Sequence, residues 1–202
     1  LCRGPRPKGT PRWTRGLAVF ALSALLGTPA RAASSEAEEL LRKGEECFAS
    51  YHKDDENVAE ALSCFQKASR LEPQSAEVWV ALARTYFHVG EQADERKEKL
   101  SFYGKAREAA ETACKIAPDN ADAHLWLGSS LGRYVETKNL AQAFASRGEI
   151  RREFERALEL DPDHLVALNA LGGMYEALPK LLGGSDKKAL RLYTEAASID
   201  AN

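Results

Sequence analysis

From about residue 36 to the end of the chain, apolar side chains recur at spacings of three and four, and no window sustains a period-two alternation. That pattern predicts helices and no strands. Val78, Trp79, Leu82, Ala83 and Tyr86 make one stripe; Leu125, Leu127, Gly128 and Leu131 make a second; Leu168, Leu171, Gly172 and Tyr175 make a third. Each stripe falls on one helical face. Between them runs a series of mostly smaller side chains: Ala61, Cys64, Phe65, Ala68; Ala106, Ala109, Ala110, Ala113; Ile150, Phe154, Ala157; and Ala189, Tyr193, Ala196. Small residues at these positions let two helix backbones approach closely.

The punctuation between the helices repeats. Ala68-Ser-Arg-Leu-Glu-Pro73, Ala113-Cys-Lys-Ile-Ala-Pro118, Ala157-Leu-Glu-Leu-Asp-Pro162 and Ala196-Ala-Ser-Ile-Asp-Ala201 each run from a small residue through an aliphatic one to a turn-former. Their final positions lie 45, 44 and 39 residues apart. A short polar link follows every proline, so each unit reads as a helix pair, about four pairs in all.

Helix-pair repeats of the commonest type need about 34 residues. These units exceed that length, and the surplus lies between the two helices of each pair, at residues 53–57, 91–100, 136–147 and 179–185. Glu95-Arg-Lys-Glu-Lys99 and Leu140-Ala-Gln-Ala-Phe-Ala145 are rich in helix formers and predict longer helices. The last insert differs: Pro179 stops a helix, Gly183-Gly184 makes a turn, and Ser185 is placed to cap the final helix.

These residues resemble the tetratricopeptide repeat (TPR), whose first helix carries Trp, Leu-Gly and Tyr and whose second carries Ala, Phe or Tyr, Ala and Pro. Trp79, Leu82, Ala83 and Tyr86, then Leu127-Gly128, then Leu171-Gly172 and Tyr175 match the first set. Ala61-Phe65-Ala68-Pro73, Phe154-Ala157-Pro162 and Ala189-Tyr193-Ala196 match the second. The resemblance implies an all-α, TPR-like α-solenoid of about four helix pairs with elongated repeats over residues 33–202. The long charged stretch from Glu95 to Ala113, Ala123-His-Leu-Trp126 and the long link to Glu153-Phe-Glu-Arg-Ala157 look like the family of regulators of microtubule dynamics. They also look like the periplasmic TatT-type accessory proteins of TRAP transporters. The eukaryotic members imply association with microtubules or mitochondria. The bacterial ones imply an exported helical protein that pairs with a solute-binding protein and offers a ligand channel. Neither resemblance implies a catalytic motif.

Charge changes the picture at one end. The chain holds 28 basic and 30 acidic residues, a net −2. Residues 1–32 hold six of the basic groups and no acid, which leaves 22 − 30 = −8 for residues 33–202. Nucleic-acid binding needs the opposite balance. Within the basic segment, Arg12 and Arg15 precede the apolar run from Leu17 to Gly27, too short to span a bilayer, and Ala30-Arg31-Ala32 fits a signal-peptidase site. Residues 1–32 are therefore expected to be a signal peptide cleaved after Ala32, which places the rest in a periplasmic or secreted setting. A mitochondrial transit peptide is the alternative; such segments are amphipathic, whereas this run is apolar all round. Contact with a membrane is expected only through the signal peptide before cleavage.

Candidate chemistry is sparse. Cys47, Cys64 and Cys114, spaced 17 and 50 apart, form neither a disulfide framework nor a zinc pattern. Cys47 and Cys64 could meet across a hairpin; the other reading is three small buried hydrophobes. His52, His88, His124 and His164 fall 36, 36 and 40 apart, near the repeat period, which predicts equivalent points on successive units and no metal cluster. Gly183-Gly184-Ser185-Asp-Lys-Lys188 lacks nucleotide-loop spacing, and Ser129-Ser130 lies in no nucleophile elbow. The expectation is no catalytic residue, no metal and no cofactor.

What remains is a binding surface. In stacked helix pairs the first helices line the concave face. Alignment of the units puts Val80, Arg84, Phe87 and His88 there, then Leu125, Ser129 and Arg133, then Asn169, Gly173 and Glu176. Arg84, Arg133 and Asn169 would be donors on one wall, suited to a carboxylate of a peptide or an organic acid, with Phe87 as an apolar contact. The alternative is that these arginines pair with acids of neighbouring helices and stabilise the stack. The expected protein is a non-catalytic, exported scaffold or adaptor of the bacterial periplasm with a protein or peptide partner. Alternatives are a TRAP-type transport accessory that binds an organic acid or its solute-binding protein, and a microtubule- or mitochondria-associated regulator.

Overall fold

The computed structural model describes residues 29–50 and 55–200. Their regular structure is helical: α1 (Pro29–Ala49), α2 (Asp55–Leu71), α3 (Ala76–Gln92), α4 (Arg96–Ile116), α5 (Ala121–Lys138), α6 (Leu140–Leu160), α7 (Leu165–Ala177), a 3-10 turn (Lys180–Leu182) and α8 (Asp186–Asp200). The apolar run 17–27 and His52 lie outside the described residues. The proposed cleavage point after Ala32 falls four residues into α1.

The helices pack as four consecutive pairs, α1 with α2, α3 with α4, α5 with α6 and α7 with α8. Successive pairs join through α2–α3, α4–α5 and α6–α7, and α5 also touches α3. The link between pairs is one local device used three times. The amide of Glu72, Ala117 or Asp161 donates to the carbonyl of Ala68, Ala113 or Ala157, at 2.8, 2.8 and 2.9 Å. The amide of Ser75, Asn120 or His164 then donates back to Glu72, Ala117 or Asp161, at 3.1, 3.1 and 3.2 Å. A proline sits inside each turn because it has no N–H to satisfy and cannot continue the helix.

Helix starts follow from the capping residues. The side chains of Ser75, Asn120, Asn139 and Ser185 accept from the amides of Val78, Ala123, Gln142 and Lys188, each satisfying a donor without an intrahelical partner. A second tie recurs in the first turn: Trp79 Nε1 donates to the Pro73 carbonyl, and His124 Nε2 lies the same 2.9 Å from the Pro118 carbonyl.

The surplus residues lengthen helices where helix formers dominate, since α4 and α6 have 21 residues each. Arg96 ties the extension of α4 to the end of α5, donating to the carbonyls of Thr137 and Lys138 at 2.9 and 2.7 Å. A cation at a helix carboxyl end is also favoured by the helix dipole. The last insert makes the expected stop and turn: α7 ends at Ala177, Gly183 takes φ +97°, and the amide of Ser185 reaches the Tyr175 carbonyl at 2.9 Å.

Within each pair an aromatic ring lies on a glycine. Phe65 faces Gly44, Phe154 faces Gly128, Tyr193 faces Gly172, and Tyr103 faces Gly90; a Cβ added at Gly128, Gly172 or Gly90 would come within 2.8, 2.6 or 2.7 Å of the ring. Phe65 is fully buried and Phe154 nearly so, which contributes roughly 2 to 3 kcal/mol of hydrophobic stabilisation each. The buried hydroxyls of Thr85 and Ser130 bond back to the carbonyls of Ala81 and Trp126, at 2.7 and 2.6 Å. Ser130 thus packs within its helix.

Candidate functional site

The first helices α3, α5 and α7 share one face, and on it lies an open groove of about 640 Å³. Its floor is apolar: Phe87 from α3, Ile150 and Phe154 from α6, Ala170 and Met174 from α7. Gly128, Gly132 and Gly173 border it without side chains. Phe144 and Arg147, from the first half of α6, form one wall, and Leu178 and Pro179 lie at the end beyond α7.

The candidate residues divide. Phe87, Arg133 and Asn169 line the groove, together with Ser129 and Gly173. Arg84 does not line it. Its guanidinium bonds both oxygens of Glu45 on α1, at 2.7 and 2.5 Å, and lies 4.2 Å above the Phe48 ring. His88 stands behind the groove among the rings of Phe48, Phe87 and Trp126, at centroid distances of 5.4, 5.7 and 5.8 Å. Burial there pushes its imidazole pKa below the ordinary value, helped by Arg84 and opposed by Glu91.

Arg133 is held from two sides, by Glu91 of α3 at 2.7 Å and Glu136 at 3.5 Å. Desolvation works against its charge, but Glu91, then Tyr103 and Glu136, outweigh it and raise its pKa. The hydroxyl of Tyr103 donates to the same Glu91, and burial together with that carboxylate raises the phenol pKa. Asn169 donates one amide hydrogen to the Leu165 carbonyl at 2.9 Å.

Alignment of the first helices missed Phe144 and Arg147 because both come from a second helix. The available signal was the surplus at 136–147: added helical turns on α6 must cover more of the neighbouring face.

Two histidines outside the groove tie to acids of neighbouring helices. His124 Nδ1 lies 2.8 Å from Glu153, and His164 Nε2 lies 3.2 Å from Asp122. The three described histidines do not occupy equivalent points: His88 is near the end of α3, His124 in the first turn of α5, and His164 just before α7. The reason is arithmetic, since intervals of 36 and 40 drift against units of 45 and 44. Cys47, Cys64 and Cys114 are free thiols, Cys64 buried and the others half-buried. Among the described residues no group of three or more His, Cys, Asp or Glu is placed to hold a metal, and no helix is long and apolar enough to cross a membrane.

Comparison with solved structures agrees with the fold. An O-GlcNAc transferase variant of Thermobaculum terrenum superposes with a TM-score of 0.60 at 20% identity, over 82% of this chain and 26% of that one. The first TPR of Spaghetti (RPAP3) bound to an HSP90 peptide gives 0.52 at 22% identity, over 71% and 94%. The first TPR domain of human RPAP3 gives 0.51 at 18% identity, over 84% and 98%. At these identities the likeness is one of fold, a TPR-like helical array.

Sequence relatives are more specific. Regulator of microtubule dynamics protein 3 of Rattus norvegicus is 30% identical over 82 residues, 41% of this chain and 17% of that protein. The Bos taurus protein of the same name is 29% identical over 91 residues, 45% and 19%. The matched segment thus spans under a fifth of either relative. The family described as regulator of microtubule dynamics protein 1-3 matches residues 40–176, from α1 to the end of α7 and through most of the groove. The chain belongs to that family.

Proposed function

We propose that this chain is a non-catalytic interaction module that holds a protein or peptide partner in the groove between α3, α5, α6 and α7. The groove itself carries the reading: an apolar floor with a few convergent polar groups, within the size range of binding sites. The RPAP3 repeat, a structure described as bound to an HSP90 peptide, supports a peptide as the kind of ligand this fold accepts. A photo-crosslinking residue at Ser129, in the groove, tests it against one at Ser69, in the separate cleft between α2, α3 and α4. Crosslinks to the partner at Ser129 and not at Ser69 are the expected result; the reverse sinks the reading.

For the setting, the leader at residues 1–32 supports export to a periplasmic or secreted location, where a TRAP-type solute-binding protein would be one candidate partner. Processing after Ala32 and recovery of the shortened chain from a periplasmic fraction test this. A second reading, association with microtubules or mitochondria, is favoured by the family match. Co-sedimentation with polymerised tubulin tests the microtubule form, and loss of residues 1–32 on import into isolated mitochondria tests the other.

A further inference from the structure

The two guanidinium groups in the groove differ in how they are balanced. Arg133 has Glu91 and Glu136 beside it, so its charge is compensated within the chain. Arg147 is half-buried, and its Nη1 donates to the Phe144 carbonyl at 2.6 Å; among the described residues no carboxylate pairs with it. A partly desolvated cation beside an apolar cavity, in a body of net charge 22 − 30 = −8 over residues 33–202, is satisfied by an anion from outside. A carboxylate fits a planar guanidinium with two parallel hydrogen bonds.

The apolar surface lies within the same cavity. Phe144, Ile150, Phe154 and Met174 form a site for one large apolar side chain. Two further groups suit a main chain. Asn169 has committed one amide hydrogen to Leu165 and keeps its carbonyl oxygen and second N–H, the pair that matches a peptide's own N–H and C=O. Ser129 adds a hydroxyl on the same surface. The groove is also open. Its rim includes Glu136, 59% exposed, and Arg133, 49% exposed. An enclosed small molecule would need more cover than that, whereas a chain that continues past both ends would not.

We infer that the groove takes an extended peptide segment in which a carboxylate side chain adjoins a large apolar one, with Arg147 pairing the carboxylate. The inference rests on the groove being the binding site. The test uses labelled hexapeptides of Gly and Ala that carry Phe-Asp, Phe-Asn or Ala-Asp at the centre, both ends blocked, titrated against the full chain by fluorescence anisotropy. Phe-Asp should bind about tenfold more tightly than Phe-Asn, as one charge-assisted pair requires. Arg147→Gln should remove that difference, and Arg84→Gln should leave it intact. Arg147→Gln loses no ion pair, and its fold is checked by circular dichroism. Equal binding of Phe-Asp and Phe-Asn overturns the carboxylate assignment while leaving the groove as a site. Displacement of an apolar dye from the groove by decanoate, with none by any peptide, overturns the peptide in favour of a small amphipathic acid. If neither displaces it and no peptide binds, both the inference and the groove reading fail.

Discussion

Tyr103 rests on Gly90 seven residues away, along each helix, from the place where the other pairs set ring on glycine. At the usual place this pair has Ala83 and Ala110, both fully buried. The displaced ring packs the first half of α4 against the end of α3. Its hydroxyl also reaches Glu91, which holds Arg133 at the groove.

Close approach of ring and glycine makes a methyl group costly there and harmless at a helical glycine with open space around it. Gly128→Ala and Gly90→Ala should each lower stability by about 1 to 3 kcal/mol through overpacking. Gly148, also helical, has nothing within 4 Å of an added Cβ, so Gly148→Ala should raise stability by roughly 0.5 to 1 kcal/mol from helix propensity alone. Thermal unfolding of the three variants checks the signs. Tyr103→Leu combined with Gly90→Ala should be less destabilised than the two single changes summed.

Arg84 and Arg133 should separate by function. Arg84→Ala removes a pair to Glu45 and a cation–π contact with Phe48, which costs about 1 to 2 kcal/mol, and partner capture should be unchanged. Arg133→Ala breaks half-exposed pairs worth under about 1 kcal/mol, yet it should weaken capture. Urea unfolding and a pulldown on the same two proteins decide it, and equal loss of capture in both contradicts the division.

The His164–Asp122 pair makes stability depend on pH with a definite sign. The hydrogen bond to Asp122 raises the imidazole pKa above 6.5 against opposing desolvation, so its contribution is complete below that range and is lost as pH rises through the folded value. The same bond lowers the Asp122 pKa below 3.8, so that contribution is complete above the carboxylate range and is lost as pH falls through the folded value. His164→Gln should therefore cost about 0.2 to 1 kcal/mol near pH 6 and close to nothing at pH 9. A cost that stays constant from pH 6 to 9 counts against the pair.

Thiol reactivity should report folding. Burial pushes the Cys114 thiol from 9.0 up to about 12, which at pH 8 leaves roughly a thousandth of the thiolate of an unfolded cysteine. Iodoacetamide labelling of the Cys114 peptide, followed by mass spectrometry, should be at least about a hundredfold slower in the folded chain than in urea. Rapid native labelling would show that the site opens.

Helix pairing, the turns between pairs and the caps were legible along the chain because each is a local matter. Apolar spacing sets the buried stripe, Ala followed by Pro five residues on builds the turn, and Ser or Asn starts the helix. The longer α4 and α6 were readable from helix-forming composition in the inserts. Arg84 and Arg133 were alike in sequence, two cations aligned on first helices. Stacking alone gave Arg84 to Glu45, 39 residues back, and Arg133 to Glu91, 42 residues back. It also brought Arg147 from a second helix into the groove without a carboxylate partner among the described residues. An ion pair depends on where two side-chain tips meet across separate helices, and that distance is fixed by packing rather than by spacing along the chain.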